Sequence, residues 1–266
     1  MSVEAERMRG QMASNARPRE EIRVPLNEVA YGTRFVAPDF DVVHFGEYYH
    51  LVKDEFLKRQ MVPAIARPSA ISQGVPTIEL SALPRVWFIQ ASRLIQLQTD
   101  RFIYNWRRLD DSEEKYPGFQ DLSAEFRKRW SQFLEFSERS FAIPLMLEEL
   151  SLTYVNQIHE DERTTSPIFA FRNEAFDMPH PELWISQLRF VEADGNMRIT
   201  VGARPSIHVS TQARITQLDM TVESIAAPSN KVEDVYRWFD EAHALVHRAF
   251  KNLVAHEWRA LWGFTE

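Results

Sequence analysis

Apolar residues recur along this chain at two spacings, and the switches between them outline its elements. The segment PLNEVAYGTRFV alternates and carries β-branched and aromatic residues, which predicts a strand over 26–36. In VVHFGEYYHLVKDEFLKRQ, Val43, Tyr48, Leu51, Val52, Phe56 and Leu57 recur every three to four positions, the period of an amphipathic helix. Residues 60–84 hold Pro63, Pro68, Pro76 and Pro84 and read as a long loop. From Arg85 the period returns to two. RVWFIQ and RLIQLQTDRFIYNWRR read as strands, the second unusually long or bent near Asp100.

A turn at YPGF leads into a helix over 119–140, with Phe119, Leu122, Phe126, Trp130, Phe133 and Phe136 on one stripe. LEELSLTYVNQI is again a strand. The polar stretch HEDERTTSPIFAFRNEAFDMPHPE after it reads as a connection between units, its HEDER cluster as a solvated loop. WISQLRFVE, NMRITVGAR and ARITQLDMTVES are strands, with a hairpin signal at ADGN. A final helix is expected over 231–260. Its apolar face carries Val232, Val235, Phe239, Ala242, Val246, Phe250, Leu253 and Leu261, and Trp258 and Trp262 stand at its end.

Two segments repeat. LNEVAYGTRF (26–35) resembles LEELSLTYVN (147–156), and RLIQLQTDRF (93–102) resembles RITQLDMTVE (214–223); both pairs are 121 residues apart. The expected fold is therefore α+β, with two pseudo-repeated units, each an antiparallel sheet covered by an amphipathic helix. The division this suggests is a mobile tail over 1–20, a first unit over 21–160 and a second over 161–266.

Composition narrows the chemistry. The net charge of −7 disfavours bulk nucleic-acid binding, which relies on neutralising phosphates. Cysteine is absent, so thiolate catalysis, disulfides and Cys-based zinc sites are excluded. The N-terminal twenty residues lack the apolar core of a secretory signal, and no long apolar run suggests a membrane span. The cytoplasm is the expected compartment.

The segment LPRVWFIQASRLIQLQTDRFIYNWRRLDDSEEKYPGFQDLSAEF carries a dense pattern: Pro84, Arg85, Trp87, Gln96, Gln98, Asp100, Arg101, Phe102, Asn105, Trp106, Arg107, Tyr116, Pro117 and Phe126. With EVAYGTRF before it and AHALVHRAFKNLVAHEWRALWG at the end, it resembles a sporadically distributed prokaryotic family of about this length. That resemblance implies no activity, since the family has none assigned. Sporadic distribution is typical of mobile or defence-linked genes.

Taken as one continuous strand, LIQLQTDRFIYNWRR puts Gln96, Gln98, Asp100, Phe102, Tyr104 and Trp106 on one face and Ile95, Leu97, Thr99, Arg101, Ile103, Asn105 and Arg107 on the other. Phe102, Tyr104 and Trp106, flanked by Arg101, Arg107 and Arg108, could stack bases. A core face packed under a helix is preferred, with Trp106 against helix 119–140 and Asn105 and Arg107 tied by hydrogen bonds, the arginine to a carboxylate such as Glu125 or Glu135 or to backbone carbonyls. Asp240, His243 and His247 share a helix face, but with no third distant ligand identifiable they read as packing residues and no metal is expected.

Gln96, Gln98, Asp100, Arg101, Asn105, Trp106 and Arg107 are thus the candidate binding residues. No catalytic residue can be named and no cofactor is expected. The leading reading is a non-enzymatic interaction protein, such as a regulator, inhibitor or accessory subunit, with a protein partner. The alternatives are an enzyme or ligand-binding protein with a pocket between the units, and nucleic-acid binding through the arginine-flanked aromatic strand. No membrane partner is expected, and a homodimer is left open.

Overall fold

The computed structural model describes residues 24–68, 78–79, 84–110, 114–159 and 185–263. Nine strands form one antiparallel sheet: β1 (Leu26–Val36), β2 (Lys58–Val62), β5 (Arg85–Gln90), β6 (Arg93–Gln98), β7 (Arg101–Arg107), β8 (Met146–His159), β9 (Ser186–Val191), β10 (Met197–Ile207) and β11 (Arg214–Ser224). Their order is β2-β5-β6-β7-β1-β8-β11-β10-β9. Two short strands, β3 (Arg67–Pro68) and β4 (Ile78–Glu79), pair with each other. The helices are α1 (Val42–Val52), α2 (Phe119–Ser140), α3 (Val232–Leu253) and α4 (His256–Leu261). The fold is α+β as expected, but its strands join in one continuous sheet.

Three helices lie on one face of that sheet. Tyr31 of β1 stacks on Phe126 of α2 at 4.9 Å between ring centroids and meets Phe239 of α3 at 5.2 Å. Tyr48 of α1 meets Phe102 of β7 and Phe133 of α2. The α2 stripe behaves as its spacing predicts, with Leu122, Phe126, Trp130, Phe133 and Phe136 buried. Each such aromatic removes on the order of 150–250 Å² from water, so this stripe fixes the helix to the sheet.

Several expectations are corrected. Helix α1 stops at Val52, and Lys58–Val62 hydrogen-bonds to β5 as an edge strand. The turn after the helix sends Phe56 into the core, while Val43, Leu51 and Leu57 face solvent and Phe45 takes the inward place. The helix starts on a capping box: the Asp41 carboxylate accepts the Val43 N–H and His44 Nδ1 accepts the Asp41 N–H.

The segment 93–107 is a hairpin, β6 and β7, turning at Thr99–Asp100. The terminal helix breaks at Val254, which is extended and buried, so that α4 is separate. On α3 the inward residues are Val235, Phe239, Ala242, Leu245 and Val246, with Phe250 and Leu253 only partly buried.

The strand order has a mirror relation about the β1–β8 pair: β5-β6-β7-β1 on one side, β9-β10-β11-β8 on the other. Segments 26–35 and 147–156 thus fall on the two central strands. Segment 93–102 spans β6 and the start of β7, whereas 214–223 lies within β11 alone. At the centre a Cβ on Gly32 would lie 2.4 Å from Ser151 Oγ, so a larger residue there requires the Ser151 hydroxyl to turn away. The expected tail (1–20) and all but the first residue of the expected connection (159–182) lie outside the described residues.

Candidate functional site

The face opposite the three helices is polar, and its chemistry is concentrated on β1, β7, β6 and β5. Register sets which side chains meet there. Glu28 stands opposite Arg107, Ala30 opposite Asn105, Gln96 opposite Ile103, and Trp87 opposite Gln96. Directly opposed residues in an antiparallel pair share a face, so Glu28, Arg85, Trp87, Gln96, Asn105 and Arg107 form one patch across four strands.

A chain of hydrogen bonds crosses it. Arg85 Nη1 and Trp87 Nε1 both donate to Gln96 Oε1, at 2.6 and 2.9 Å. Gln96 Nε2 donates to Asn105 Oδ1 at 2.6 Å, and Asn105 Nδ2 donates to Glu28 Oε1. The guanidinium groups of Arg107 and Arg85 lie 5.0 and 5.5 Å from the Trp87 ring centroid, in cation–π range. Gln96 and Asn105 are buried, Trp87, Arg85 and Arg107 half-buried. The patch therefore has a fixed polar floor and a partly open cationic and aromatic rim. Burial pushes the Glu28 carboxyl above its ordinary value; the Asn105 hydrogen bond and the charges of Arg107 and Arg85 oppose that shift, and nearby Asp219 adds to it.

The other expected residues fall into a second group at the β6–β7 turn. Gln98 Oε1 accepts the Ile65 N–H at 2.8 Å, and Gln98 Nε2 donates to the Ile65 carbonyl and to Asp100 Oδ1. Arg101 reaches the Ala66 carbonyl and pairs with Asp100 at 3.6 Å. Together these three residues hold the 65–66 segment against the sheet.

Trp106 is not in either group. The two-residue turn at Thr99–Asp100 reverses the parity expected of a continuous strand, so Phe102, Tyr104 and Trp106 share their face with Ile95 and Leu97, under the helices. Trp106 meets Tyr116, just ahead of α2, at 5.2 Å, while Phe102 is the residue against Trp130 and Phe133. The stacking platform expected from these aromatics is therefore core. Asn105 is hydrogen-bonded as expected. Arg107 lies over Trp87, and Glu125 is engaged instead by Arg93 and Tyr104. Glu28, Arg85 and Trp87 are the site members that strand periodicity alone missed; only the pairing of strands brings them to the patch.

A polar cavity of about 380 Å³ opens elsewhere, between the β5–β6 turn and α2. Its charges are compensated within its walls. Arg93 donates to Glu125 and Glu114, Arg129 and Lys128 pair with Glu55, and Tyr104 donates to Glu125 at 2.6 Å. Burial raises Glu125, but the Arg93 and Tyr104 hydrogen bonds outweigh it and hold the carboxyl below its ordinary value.

On α3, Asp240 turns to Arg127, and His243 stacks on Phe119 at 3.7 Å and shares a hydrogen bond with Tyr154 at 2.8 Å. Burial, with His247 alongside, lowers His243 to about 4. No protein-family model matches this chain, and a search of curated proteins finds no similar sequence.

Proposed function

We propose that this chain is a non-enzymatic interaction protein, a regulator, inhibitor or accessory subunit, that holds a protein partner on the helix-free face of its sheet. The observation that carries the reading is the Trp87 patch. Tryptophan and arginine are the residue types that dominate protein–protein hot spots, and here they stand half-open over a hydrogen-bonded floor that fixes their positions. The wider face supports a carboxylate-bearing partner. Lys58, Arg34, Arg85, Arg101, Arg107, Arg189, Arg198 and Arg204 share its register with Glu28, Glu149, Asp219 and Glu223, and Glu148 and Asp100 pair with Arg34 and Arg101, which leaves a small positive excess on a chain of net charge −7.

The test is affinity capture from the native host with mass spectrometry, using wild type, Arg107→Glu and Trp106→Phe. A partner held by wild type and by Trp106→Phe and lost by Arg107→Glu agrees with the proposal. A partner held equally by all three places the interface elsewhere.

The cavity of about 380 Å³ favours a second reading, a small-ligand site; its paired charges offer no poised acid or base, which supports binding over catalysis there. The positive face also keeps nucleic acid as a third. Retention of single-stranded DNA or RNA at physiological salt would promote it over the protein partner.

Membership of the sporadically distributed prokaryotic family, a mobile or defence-linked role and work in the cytoplasm belong to the same proposal. No described helix is long and apolar enough to cross a membrane. We also infer that the two halves descend from a duplication, and propose units 26–140 and 146–253, with the division before β8 instead of the expected one after residue 160. The mirrored strand order and the helix after each last strand support it. A tandem of two first halves should then fold cooperatively; aggregation of that chain would count against it.

A further inference from the structure

The two outer strands of the sheet differ in how they meet solvent. On β2, exposed Met61 and the adjoining exposed Leu57 are interrupted by Lys58 and Arg59, one cation on each face of the strand, which discourage a further strand. No strand pairs with the outer edge of β9 among the described residues, and beside the exposed Gln187 and Arg189 it presents apolar residues: Ile185 is 74% exposed, Val191 58% and Phe190 47%. The mirror relation makes the contrast sharper. β9 occupies the place that β5 has in the first half, and β5 carries β2 as an antiparallel neighbour.

The geometry points to a second copy of this chain as the occupant: β9 pairs antiparallel with β9 of the other copy about a twofold axis perpendicular to the sheet, joining the two sheets. The sequence around β9 is self-complementary in that arrangement. A perpendicular twofold keeps each side chain on its own face, so residues sharing a face must pair. Centring the axis on Leu188 places Leu188 beside its copy, Gln187 beside Arg189, Ser186 beside Phe190 and Ile185 beside Val191. Along the helix-free face the order is apolar, polar, polar, apolar (Ile185, Gln187, Arg189, Val191), which reads the same in both directions. Ile185 and Val191 thus cover each other twice. Centring on Arg189 instead would oppose two guanidinium groups, which disfavours that register.

The absence of cysteine makes the register measurable. Sedimentation equilibrium of the full chain across the micromolar range should give twice 31.2 kDa. Ile185→Lys with Val191→Lys puts like charges opposite each other twice and should weaken the dimer at least about tenfold. Ile185→Lys with Val191→Glu restores opposite charges and should keep it. Mild oxidation should link Leu188→Cys to its copy far faster than Gln187→Cys, because only position 188 meets itself within disulfide reach. A monomeric wild type, a dimer indifferent to the lysine pair, failure of the lysine–glutamate pair to restore it, or faster linkage at 187 would each overturn the proposal.

Discussion

Gln96 Nε2 donates to the side-chain oxygen Oδ1 of Asn105 at 2.6 Å, across the β6–β7 pair on the face away from the helices. Both are buried, and each has a second partner: Arg85 and Trp87 donate to Gln96, and Asn105 donates to Glu28. Four strands are therefore tied by a line of amides whose members are all spoken for, so removing one leaves two neighbours unsatisfied.

Asn105→Ala should accordingly lower stability by about 1–3 kcal/mol, the range for orphaning buried polar groups. Urea unfolding monitored by circular dichroism would show it. A change too small to measure would mean that the network is replaced by water at no loss.

The raised Glu28 carboxyl gives a signed pH effect. Its folded pKa lies above the ordinary 4.5, so its contribution is fully present below 4.5 and is lost as pH rises through the folded value. Glu28→Gln keeps an acceptor for Asn105 and removes the buried charge. Its stability should match wild type at low pH and exceed it at neutral pH. Thermal melts over a pH series read this directly, and a variant less stable at neutral pH would show that the charges of Arg107 and Arg85 outweigh burial.

His243 acts in the opposite sense. Its folded value of about 4 lies below the ordinary 6.5, so its contribution is present above 6.5 and is lost as pH falls toward 4. His243→Phe should flatten that part of the melting-temperature profile. An unchanged slope between those two values would assign it to other groups.

Trp106→Ala should cost about 3–5 kcal/mol, because the ring is fully enclosed. Trp106→Phe should cost much less, since the indole Nε1 has no hydrogen-bond partner to lose among the described residues. Equal losses would indicate a hidden partner for that nitrogen.

On α3 the ranking of two phenylalanines is the informative measurement. Phe239 touches Tyr31 and Phe126 and is buried, so Phe239→Ala should cost about 3–5 kcal/mol. Phe250 is only partly buried, so Phe250→Ala should lose roughly half of that or less. The reverse order would place the wrong face of α3 against the sheet.

Helix α2 was legible in the sequence because six apolar residues at helical spacing admit one reading. Helix α1 was overextended because Phe56 and Leu57 continue that spacing by chance: Phe56 is buried from a turn, Leu57 not at all. The candidate residues do not group as a continuous strand would place them. A hairpin with a two-residue turn contains the same letters as one bent strand, and only the turn decides whether Gln96 shares a face with Asn105 or with Trp106. The partners of the patch were out of reach for the same reason. Glu28 stands 77 positions from Asn105 along the chain, and no periodicity carries that information. The break at Val254 has no proline or glycine to announce it.

The central pairing of β1 with β8 also orders events during synthesis. By the time α2 has emerged from a ribosome, β1 can already lie beside β7, but its other edge has to wait for residues 146–159. That edge belongs to an eleven-residue strand carrying Tyr31 and Phe35, long and apolar enough to attract a foreign strand. The nascent first half is therefore most vulnerable to misassembly in that interval, and the arrival of β8 ends it.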